Sequence, residues 1–458
     1  MNAKTIGRII GTSLRVTNSR GDYLSRLQEQ RAAALVRHAR TASPYFRSLL
    51  RKFPDAIEDW ISIPATRKSD LMANFDDWVT DPRIRRDRIE SEFLSKPELV
   101  GHAYLRRYRI FTTSGTTGSP AVIVHDRTSW NVFQLASRLR SERQILRHGA
   151  ALGALRRGFR SAVLFATGGH YGGVGVAAYV QTLHPALSRR VRVVSVLRPI
   201  TEQVHELNAY QPTFISGYPS ALLALAKEQR EGRLDISPVL MLCAGEFLGE
   251  TQRIDLEETF GCHILQGYAA SEVPALALEC DEHRFHVNAD WYLIEPVDAE
   301  YNPVPAGTTS DTCLVTNLAN FVQPIIRYDL GDRIRRYVDP CPCGSLLPAL
   351  EVEGRTNDLV ELRGAHRETI EIVPLAIGSV IEETPGVHRF QIINPDPMHL
   401  RVRFDEVPHT DRDRIWEQLS RRLHAFIDDH DARDISISLD AERPRPEPGG
   451  GKLKQVLR

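Results

Sequence analysis

Short strand-like runs alternate with helical ones between residues 161 and 268, and this alternation constrains the fold more than any other feature. The strand-like runs are SAVLFATG (161–168), VRVVSVL (191–197), TFISG (213–217), VLMLCAG (239–245) and CHILQGY (262–268). Apolar residues at helical spacing predict helices over 129–147, 201–210 and 219–231. Such alternation builds a largely parallel sheet covered by helices, and these sheets bind ligands at the carboxyl ends of their strands. The predicted fold class is therefore α/β.

The flanking segments predict a helical lead-in and a second, smaller domain. Residues 21–52 place apolar side chains at helical spacing, so the first 100 residues are predicted to be mainly helical. Residues 287–353 change to shorter strands of antiparallel appearance. From Gly354 onward, an amphipathic helix over 411–430 lies between strand candidates, as in a small α+β unit. We therefore predict two domains, 1–353 and 354–458.

The charge balance and the cysteine count exclude several classes of protein. Lys+Arg and Asp+Glu both number 58, so no basic excess indicates binding to nucleic acid or to an anionic membrane surface. No apolar run reaches the ~18 residues of a membrane span, and the N-terminal residues lack the apolar core of a signal peptide. Six cysteines are too few for a disulfide scaffold in 458 residues. These features predict a cytoplasmic protein.

The segment TSGTTGSP (113–120) follows a strand-like run and is chemically suited to phosphate. Glycines and hydroxyl residues in a tight turn let backbone N–H groups converge on an anion, and the hydroxyls add donors. The segment is not a Walker loop, because GxxxxGK[ST] is absent. By itself, such a segment is more often an ordinary polar turn between two strands.

Six motifs, in one order, resemble those of adenylate-forming enzymes, the superfamily of acyl- and aryl-CoA synthetases, peptide-synthetase adenylation domains and luciferases. They are TSGTTGSP (113–120), CAGEFL (243–248), GYAASE (267–272), RYDLGD (327–332), EGRTND (353–358) and GGGKLKQV (449–456). The segment HARTASPYFRSLL (38–50) resembles the opening of the phenylacetate–CoA ligase-like branch. The resemblance covers nearly the whole chain. It implies a large α/β adenylation domain followed by a small, mobile α+β domain.

The resemblance also implies roles for individual residues. The ATP phosphates would lie on Ser114, Gly115, Thr116, Thr117 and Gly118. The adenine would lie on Ala244, Gly245, Glu246 and Tyr268, and the ribose on Asp332 with Arg355 close by. Glu272 would hold magnesium, and Lys452 would bridge the substrate carboxylate and the α-phosphate. Lys452, Glu272 and Thr116 are the catalytic candidates.

Each of the charged candidates also has a structural interpretation. Glu272 could cap a helix, Asp332 could be an ordinary turn residue, and Lys452 could be a solvated charge in a glycine-rich tail. In the family, however, the second domain rotates about the EGRTND hinge, near residues 355–358, between adenylation and thioester formation. A lysine that follows three glycines suits a loop that enters and leaves the site with that rotation.

Three cysteines and a histidine predict a structural metal site. CPCG (341–344) supplies two cysteines, and ECDEHRFHV (279–287) supplies a third together with His283 or His286. Such a set suits a closed tetrahedral zinc site, although C-x-C is tighter than the usual C-x₂-C spacing. The predicted ligands are Cys280, His286, Cys341 and Cys343. The alternative is a group of buried, reduced cysteines.

The glycine-rich segment FATGGHYGGVG (165–175) is the predicted wall of a pocket for the carboxylic acid. Glycines allow close approach of the backbone, and His170 and Tyr171 could meet a ring or a carboxylate. The predicted pocket residues are His170, Tyr171, Gly172, Tyr218 and Gly245. A histidine in such a loop can equally be a hydrogen-bonded structural residue.

The sequence departs from the family pattern in three places: the first removes a charge near the phosphates, the second changes the pocket near the adenine, and the third leaves the acceptor open. Ser119 replaces a lysine common in relatives, and Ala269 and Ala270 replace the usual Gly and Leu. The segment ELRGAHRETIEIVP (361–374), whose counterpart helps to receive CoA in relatives, is longer than the common form.

The predicted function is ATP- and Mg²⁺-dependent activation of a carboxylic acid, with an aryl acid favoured, followed by transfer to a thiol such as CoA. The alternatives are a ligase acting on a carrier-protein thiol, an amine or nitrite, and a non-catalytic nucleotide-binding protein on the same fold.

Overall fold

The computed structural model describes most of the chain. The residues outside the description are 1–2, 19–21, 54–61, 114–120, 148–153, 155, 168, 184–187, 356–359, 365–368, 373–376, 379, 382–383, 408–409, 431, 446–452 and 458. Twelve α-helices are used below, numbered in chain order. They are α1 (Ala3–Asn18), α2 (Tyr23–Ala42), α3 (Pro44–Leu49), α4 (Lys68–Ala73), α5 (Phe75–Trp78), α6 (Arg86–Arg88), α7 (Arg127–Arg147), α8 (Gly172–Leu183), α9 (Ile200–Tyr210), α10 (Pro219–Arg230), α11 (Glu250–Phe260) and α12 (Arg412–Asp429).

A nine-stranded sheet forms the centre of the protein, and its parallel half confirms the predicted α/β class. The hairpin β1 (Arg109–Thr112) and β2 (Val122–His125) precedes it. The parallel strands are β3 (Ser161–Phe165), β4 (Val191–Ser195), β5 (Phe214–Gly217), β6 (Leu240–Ala244) and β7 (His263–Tyr268). Each strand lies within a predicted strand-like run, and α7, α9 and α10 match the three predicted helices to within two residues.

The remaining strands of this sheet are antiparallel, as expected for the part of the chain before the predicted hinge. These are β8 (Ala277–Glu279), β9 (Phe285–Val287), β13 (Asp332–Arg336) and β14 (Ala349–Arg355), and the full order is β13-β14-β9-β8-β7-β6-β5-β3-β4. A separate sheet contains β10 (Tyr292–Val297), β11 (Thr312–Asn317) and β12 (Tyr328–Asp329). Strand β14 runs through Arg355, so the large sheet extends two residues past the predicted domain boundary.

The helical lead-in packs on the large unit through a shared core. Helix α3 begins after Ser43, whose hydroxyl accepts a hydrogen bond from the Phe46 amide, and proline occupies the first helical position. The fully buried Trp78 donates from its indole Nε1 to the carbonyl of Pro324 at 2.6 Å. A π-helical turn (Ile89–Leu94) and a 3₁₀ turn (Pro97–Leu99) then lead into β1. In the described part of the chain, none of the helices is both long and apolar enough to span a bilayer.

The C-terminal section has a hydrophobic core of its own. Its strands are β15 (Val360–Arg363), β16 (Thr369–Ile372), β17 (Val387–Asp396), β18 (His399–Glu406), β19 (Ser436–Leu439) and β20 (Val456–Leu457). Helix α12 begins after Asp411, whose carboxylate caps two backbone amides, and buries an apolar stripe at four-residue spacing against this sheet. β20 pairs in parallel with β17, Ile392 opposite Val456, and this returns the tail to the sheet. The two-domain boundary stays a prediction; residues 356–359 of the proposed hinge lie outside the described residues.

Candidate active site

A cavity of 1410 Å³ opens at the carboxyl ends of the parallel strands. Phe165 ends β3, Ser216 lies near the end of β5, Ala244 ends β6 and Tyr268 ends β7, and all four line the cavity. Parallel strands bring their last residues to one edge of the sheet, where the loops that follow can surround a ligand. The geometry therefore places the main cavity where the strand pattern predicted a ligand.

Tyr268 lines this cavity and contacts Asp332, a buried residue that is not part of the cavity lining. The Tyr268 hydroxyl donates a 2.7 Å hydrogen bond to Asp332 Oδ2 and lies 3.9 Å from Cys313 Sγ. Burial, followed by the negative charge of Asp332, raises the pKa of Tyr268 well above its ordinary value, so the phenol keeps its proton and remains a donor. Two residues predicted separately, from motifs 64 positions apart, thus form one pair.

Glu272 is buried and lines the same cavity. Tyr328 donates to its Oε1 at 2.9 Å, and the Asn317 amide donates to its backbone carbonyl at 2.8 Å. Its carboxylate is thus part of the cavity wall, with the oxygen chemistry that a hard cation such as Mg²⁺ requires. Glu272 starts no helix in this structure.

His125 holds the GYAASE segment against the end of β2. Its Nε2 donates to the Ser271 carbonyl at 2.8 Å, and its Nδ1 accepts from the Ser129 hydroxyl at 2.7 Å. Burial lowers the pKa of His125 to about 4, so the ring is neutral at pH 7, as this pattern of one donor and one acceptor requires. The histidine therefore links the strand that follows the phosphate loop to the magnesium candidate.

Asp329, which the sequence analysis did not single out, also lines the cavity. Its carboxylate accepts from the hydroxyls of Thr312 at 2.6 Å and Tyr301 at 2.7 Å, and from the Gly331 amide at 3.1 Å. The residue lies in the same RYDLGD motif as Asp332, three positions earlier. Asp329 could have been identified from the sequence as an acidic residue within a recognised motif.

The cavity lining also has an apolar, aromatic part. It consists of Phe111, Phe133, Phe165, Tyr171 and Tyr218, together with Gly172 and Gly245. Phe165 and Tyr218 pack edge to face with centroids 4.8 Å apart. Burial raises the pKa of Tyr218, so its hydroxyl is a neutral group in this wall. Four of the five predicted pocket residues therefore line one cavity.

His170 is the fifth, and it does not line the cavity. Its ring packs on Phe93 with centroids 4.8 Å apart, its side chain is buried, and its carbonyl accepts from the Thr112 amide at 2.9 Å. Burial lowers the pKa of His170, which keeps the ring neutral. His170 is therefore a buried packing residue next to Tyr171, which lines the cavity, and its Nε2 has no hydrogen-bond partner within the described part of the chain.

Glu246 also lies outside the cavity, although Ala244 and Gly245 line it. The backbone turns at Gly245, whose φ is +86°, a conformation that favours glycine. The Glu246 carboxylate then accepts from the Ser220 amide at 3.0 Å and from the Leu453 amide at 2.6 Å. Its side chain thus contacts the first turn of α10 and the C-terminal tail.

The four predicted metal ligands come together. The ligand atoms of Cys280, His286, Cys341 and Cys343 all lie within 4.8 Å of one another. Cys280 Sγ is 3.6 Å from Cys341 Sγ, and Cys343 Sγ is 3.2 Å from His286 Nε2. His286 Nδ1 donates to the Leu347 carbonyl at 2.9 Å, which directs the Nε2 lone pair at the sulfurs. His283 is half exposed and lies instead beside Glu279.

Two groups of predicted site residues, 114–118 of the phosphate loop and Lys452, lie outside the described residues. Arg355 is described as the last residue of β14. The stems of the phosphate loop are nevertheless clear, because Thr113 and Ala121 are joined by two hydrogen bonds, of 3.1 and 2.9 Å. The loop therefore connects β1 to β2 in a hairpin.

Comparisons with known proteins agree with the motifs. The family model "AMP-binding enzyme" matches residues 107–297. A phenylacetate–coenzyme A ligase of Thermus thermophilus is 28% identical over 95% of this chain and 96% of its own length. The protein CapK of Staphylococcus aureus is 23% identical over 35% of each chain.

Solved structures show the same fold over the whole chain. A 2-hydroxyisobutyryl-CoA ligase in its postadenylation state, complexed with R3-HIB-AMP, matches with a TM-score of 0.72 at 19% identity, over 97% of this chain and 91% of its own. The same enzyme in its thioesterification state, with 2-HIB-AMP and CoA, has a TM-score of 0.55 at 18% identity and the same coverage. Motifs, family model and relative agree: residues 107–297 match the AMP-binding enzyme family, and the chain as a whole is similar to an AMP-forming ligase of the phenylacetate–CoA ligase-like kind.

Proposed function

We propose that this ligase uses ATP to convert a carboxylic acid, with an aryl acid favoured, into an acyl-AMP, and then transfers the acyl group to a thiol such as CoA. The observation that carries the proposal is one cavity lined both by Tyr268 and Glu272 and by a group of aromatic side chains. A nucleotide and an aromatic acid can bind side by side there, with the acid approaching the nucleotide from the apolar side.

The chemical step requires neutralisation of charge more than covalent participation by the protein. A carboxylate oxygen attacks the α-phosphorus, the bond from that phosphorus to the bridging oxygen breaks, and pyrophosphate leaves. Because an anion attacks a polyanion, donors placed in advance around the phosphates lower the barrier. We assign this to Ser114, Gly115, Thr116, Thr117 and Gly118, and to Lys452 at the α-phosphate and the carboxylate.

Mg²⁺ fits the described site at Glu272, a buried carboxylate in the cavity wall whose Oε1 accepts a hydrogen bond from Tyr328. The ion would supply positive charge at the phosphate oxygens. For the nucleoside, we assign the adenine to Tyr268 and the Ala244–Gly245 backbone, and the ribose hydroxyls to Asp332 with Arg355 nearby. Asp329 joins them as a second carboxylate in the wall. The carboxylate of Glu246 is directed elsewhere, so only its backbone belongs to this segment.

The acid pocket is assigned to Tyr171, Gly172, Tyr218 and Gly245, with His170 supporting the wall from behind. Phe165 and Tyr218 pack edge to face, and the ring of an aromatic acid can pack against them with the same geometry. This favours an aryl acid over a small aliphatic one.

CoA is the first acceptor that we propose, because the phenylacetate–coenzyme A ligase relative is named for it. The unusual segment 361–374 keeps a carrier-protein thiol, an amine and nitrite as alternatives. All six cysteines are free thiols, which suits the reducing cytoplasm that we propose as the compartment.

We further propose that the cluster of Cys280, His286, Cys341 and Cys343 binds a structural zinc ion. In a tetrahedral site with Zn–S distances of about 2.3 Å, neighbouring sulfurs lie about 3.8 Å apart. The Cys280–Cys341 separation of 3.6 Å is close to this value. The cluster joins β9 to the 341–344 turn and provides no open position that catalysis would require.

The experiment that tests the proposed function is ATP–pyrophosphate exchange without thiol, across aryl, aliphatic and amino acids. Exchange stimulated by one class of acid, and lost in Lys452→Ala, supports the proposal and identifies the substrate class. Product analysis with CoA, an amine or nitrite then identifies the acceptor. ATP binding without acid-stimulated exchange would contradict carboxylate activation and favour the non-catalytic alternative.

A further inference from the structure

The carboxylate of Glu246 connects the two units of the protein. Its Oε2 accepts from the Ser220 amide at 3.0 Å, in the first turn of α10, and its Oε1 accepts from the Leu453 amide at 2.6 Å. Ser220 belongs to the large unit and Leu453 to the C-terminal tail, 207 positions away from Glu246. Both bonds are charge-assisted, and the positive end of the α10 dipole adds to the first.

Leu453 immediately follows Lys452 in the sequence. Consecutive Cα atoms are about 3.8 Å apart, so a bond to the Leu453 amide restricts the backbone on which the lysine is carried. The contact therefore acts on the residue proposed to reach the α-phosphate, although Glu246 itself lies outside the cavity.

Gln391, a buried residue of β17, anchors the same tail within the C-terminal unit. Its Nε2 donates to the carbonyls of Arg445 at 3.0 Å and Lys454 at 2.9 Å, and its Oε1 accepts from the Arg445 amide at 2.9 Å. These two residues flank the segment 446–452. The Gln391 hydrogen bonds lie within the C-terminal unit and do not depend on its position. The Glu246 hydrogen bond to the tail forms only when the two units are in contact.

The surfaces around Glu246 are closely packed. Pro219, Phe247 and Gln252 of the large unit meet Phe390 and Leu453 of the C-terminal unit around a void of only 20 Å³. Packing of this density leaves little room for alternative positions of the tail while the two units are together.

We propose that Glu246 is a positioning residue that fastens the Lys452 loop in the adenylation arrangement and must release the Leu453 amide before thiol transfer. This inference rests on the proposed function for the chemistry of Lys452. The geometry of the bond makes Glu246 selective between the half-reactions: it stabilises one arrangement of the units and is broken in the other.

The test measures the two half-reactions separately in Glu246→Ala and Glu246→Gln. Loss of a hydrogen bond to a charged group predicts that acyl-AMP formation in Glu246→Ala falls about 10- to 100-fold in kcat, with the KM for ATP nearly unchanged. Thiol transfer from supplied acyl-AMP should be unchanged or faster. Glu246→Gln should fall between, because its one carbonyl oxygen can accept from a single amide while its NH₂ group cannot accept.

Glu250→Gln is the matched control, since this exposed acid lies four positions away at the start of α11 and does not contact the tail in the described structure. It should leave both half-reactions unchanged. An equal loss of both half-reactions in Glu246→Ala, or no loss in either, would overturn the proposal.

Hydrogen exchange of peptides covering 453–457 provides a readout that needs no substrate. The Leu453 amide should exchange faster in Glu246→Ala than in the wild-type protein or in Glu250→Gln, and the thermal midpoint should stay within a few degrees. Unchanged exchange would show that Glu246 does not protect the Leu453 amide, and this result does not depend on whether any acid is activated. Failure of the wild-type protein to exchange pyrophosphate would instead contradict the proposed function alone.

Discussion

The Tyr268 phenol donates a 2.7 Å hydrogen bond to Asp332, and this bond joins the end of β7 to the beginning of β13. The two strands are not neighbours in the sheet, because β14, β9 and β8 lie between them. Its consequence is that the residue proposed for the adenine also orients the carboxylate proposed for the ribose.

We expect Tyr268→Phe to weaken ATP binding by about 5- to 20-fold, because Asp332 loses a buried donor while the ring is kept. Asp332→Asn should weaken it more, since the acceptor for the ribose hydroxyls is lost directly. The two effects should be less than additive in the double variant, because both changes alter the same hydrogen bond, which Asp332→Asn weakens by removing the charge and Tyr268→Phe removes. Titration of an ATP analogue measures all three, and strict additivity would show that the pair is not coupled.

Glu272→Gln should reduce acyl-AMP formation about 100-fold or more at saturating ATP, because the carboxylate that attracts Mg²⁺ is lost. The amide can still accept from the Tyr328 hydroxyl, so the thermal midpoint should change little. Exchange rates as a function of Mg²⁺ concentration provide the measurement. Tyr328→Phe is the comparison: it removes the hydrogen bond but keeps the charge, and should raise the Mg²⁺ requirement only modestly.

Two adjacent glycines at the start of α8 should respond differently to alanine. A Cβ at Gly172 meets nothing within 4 Å, so Gly172→Ala should fold normally and raise the KM for a bulky acid by filling cavity space. A Cβ at Gly173 would lie 2.6 Å from the Phe165 ring, so Gly173→Ala should displace that ring and lower stability as well. Steady-state kinetics and thermal unfolding separate the two effects. Equal behaviour of the variants would contradict this arrangement of the wall.

Removal of the proposed zinc ion should destabilise the protein without changing the chemistry selectively. Cys343→Ser should lose close to one equivalent of zinc, measured by elemental analysis, and lower the thermal midpoint by several degrees. Cys262→Ser, at a cysteine outside the cluster, should retain both the metal and the midpoint. Wild-type protein purified without zinc and insensitive to chelator would favour the reduced-cysteine alternative.

His125 should make stability fall as the pH is lowered from 6.5 towards 4. Its pKa is lowered to about 4 from the ordinary 6.5, so in this window the unfolded chain takes up a proton that the folded protein does not. The difference amounts to about 3 kcal/mol at the lower end. His125→Gln keeps one donor and one acceptor without titrating, so its urea midpoint should fall less between pH 7 and pH 5. The exposed His205→Gln is the control and should follow the wild-type protein.

The parallel strands, the helices between them and the chemistry of the motifs were predictable from the sequence alone. These follow from local patterns: short β-branched runs, apolar residues at helical spacing, and glycine and hydroxyl residues in turns. The four cluster residues were also predicted from the sequence as one set, although C-x-C is tighter than the usual spacing and buried, reduced cysteines were the alternative. Local sequence could not choose between His283 and His286, since both histidines are close to Cys280 in the chain.

The directions of the side chains around the cavity follow from tertiary contacts and were not predictable from the sequence. His170 and Tyr171 are neighbours in sequence, yet one packs behind the wall on Phe93 and the other lines the cavity. Glu246 follows two cavity residues, but the positive φ of Gly245 turns it towards Ser220 and Leu453. Asp329 and Asp332 share a motif, and only the packing of distant strands shows that one meets the cavity and the other Tyr268. These directions depend on contacts between residues far apart in the chain, whereas patterning and turn chemistry report only on near neighbours.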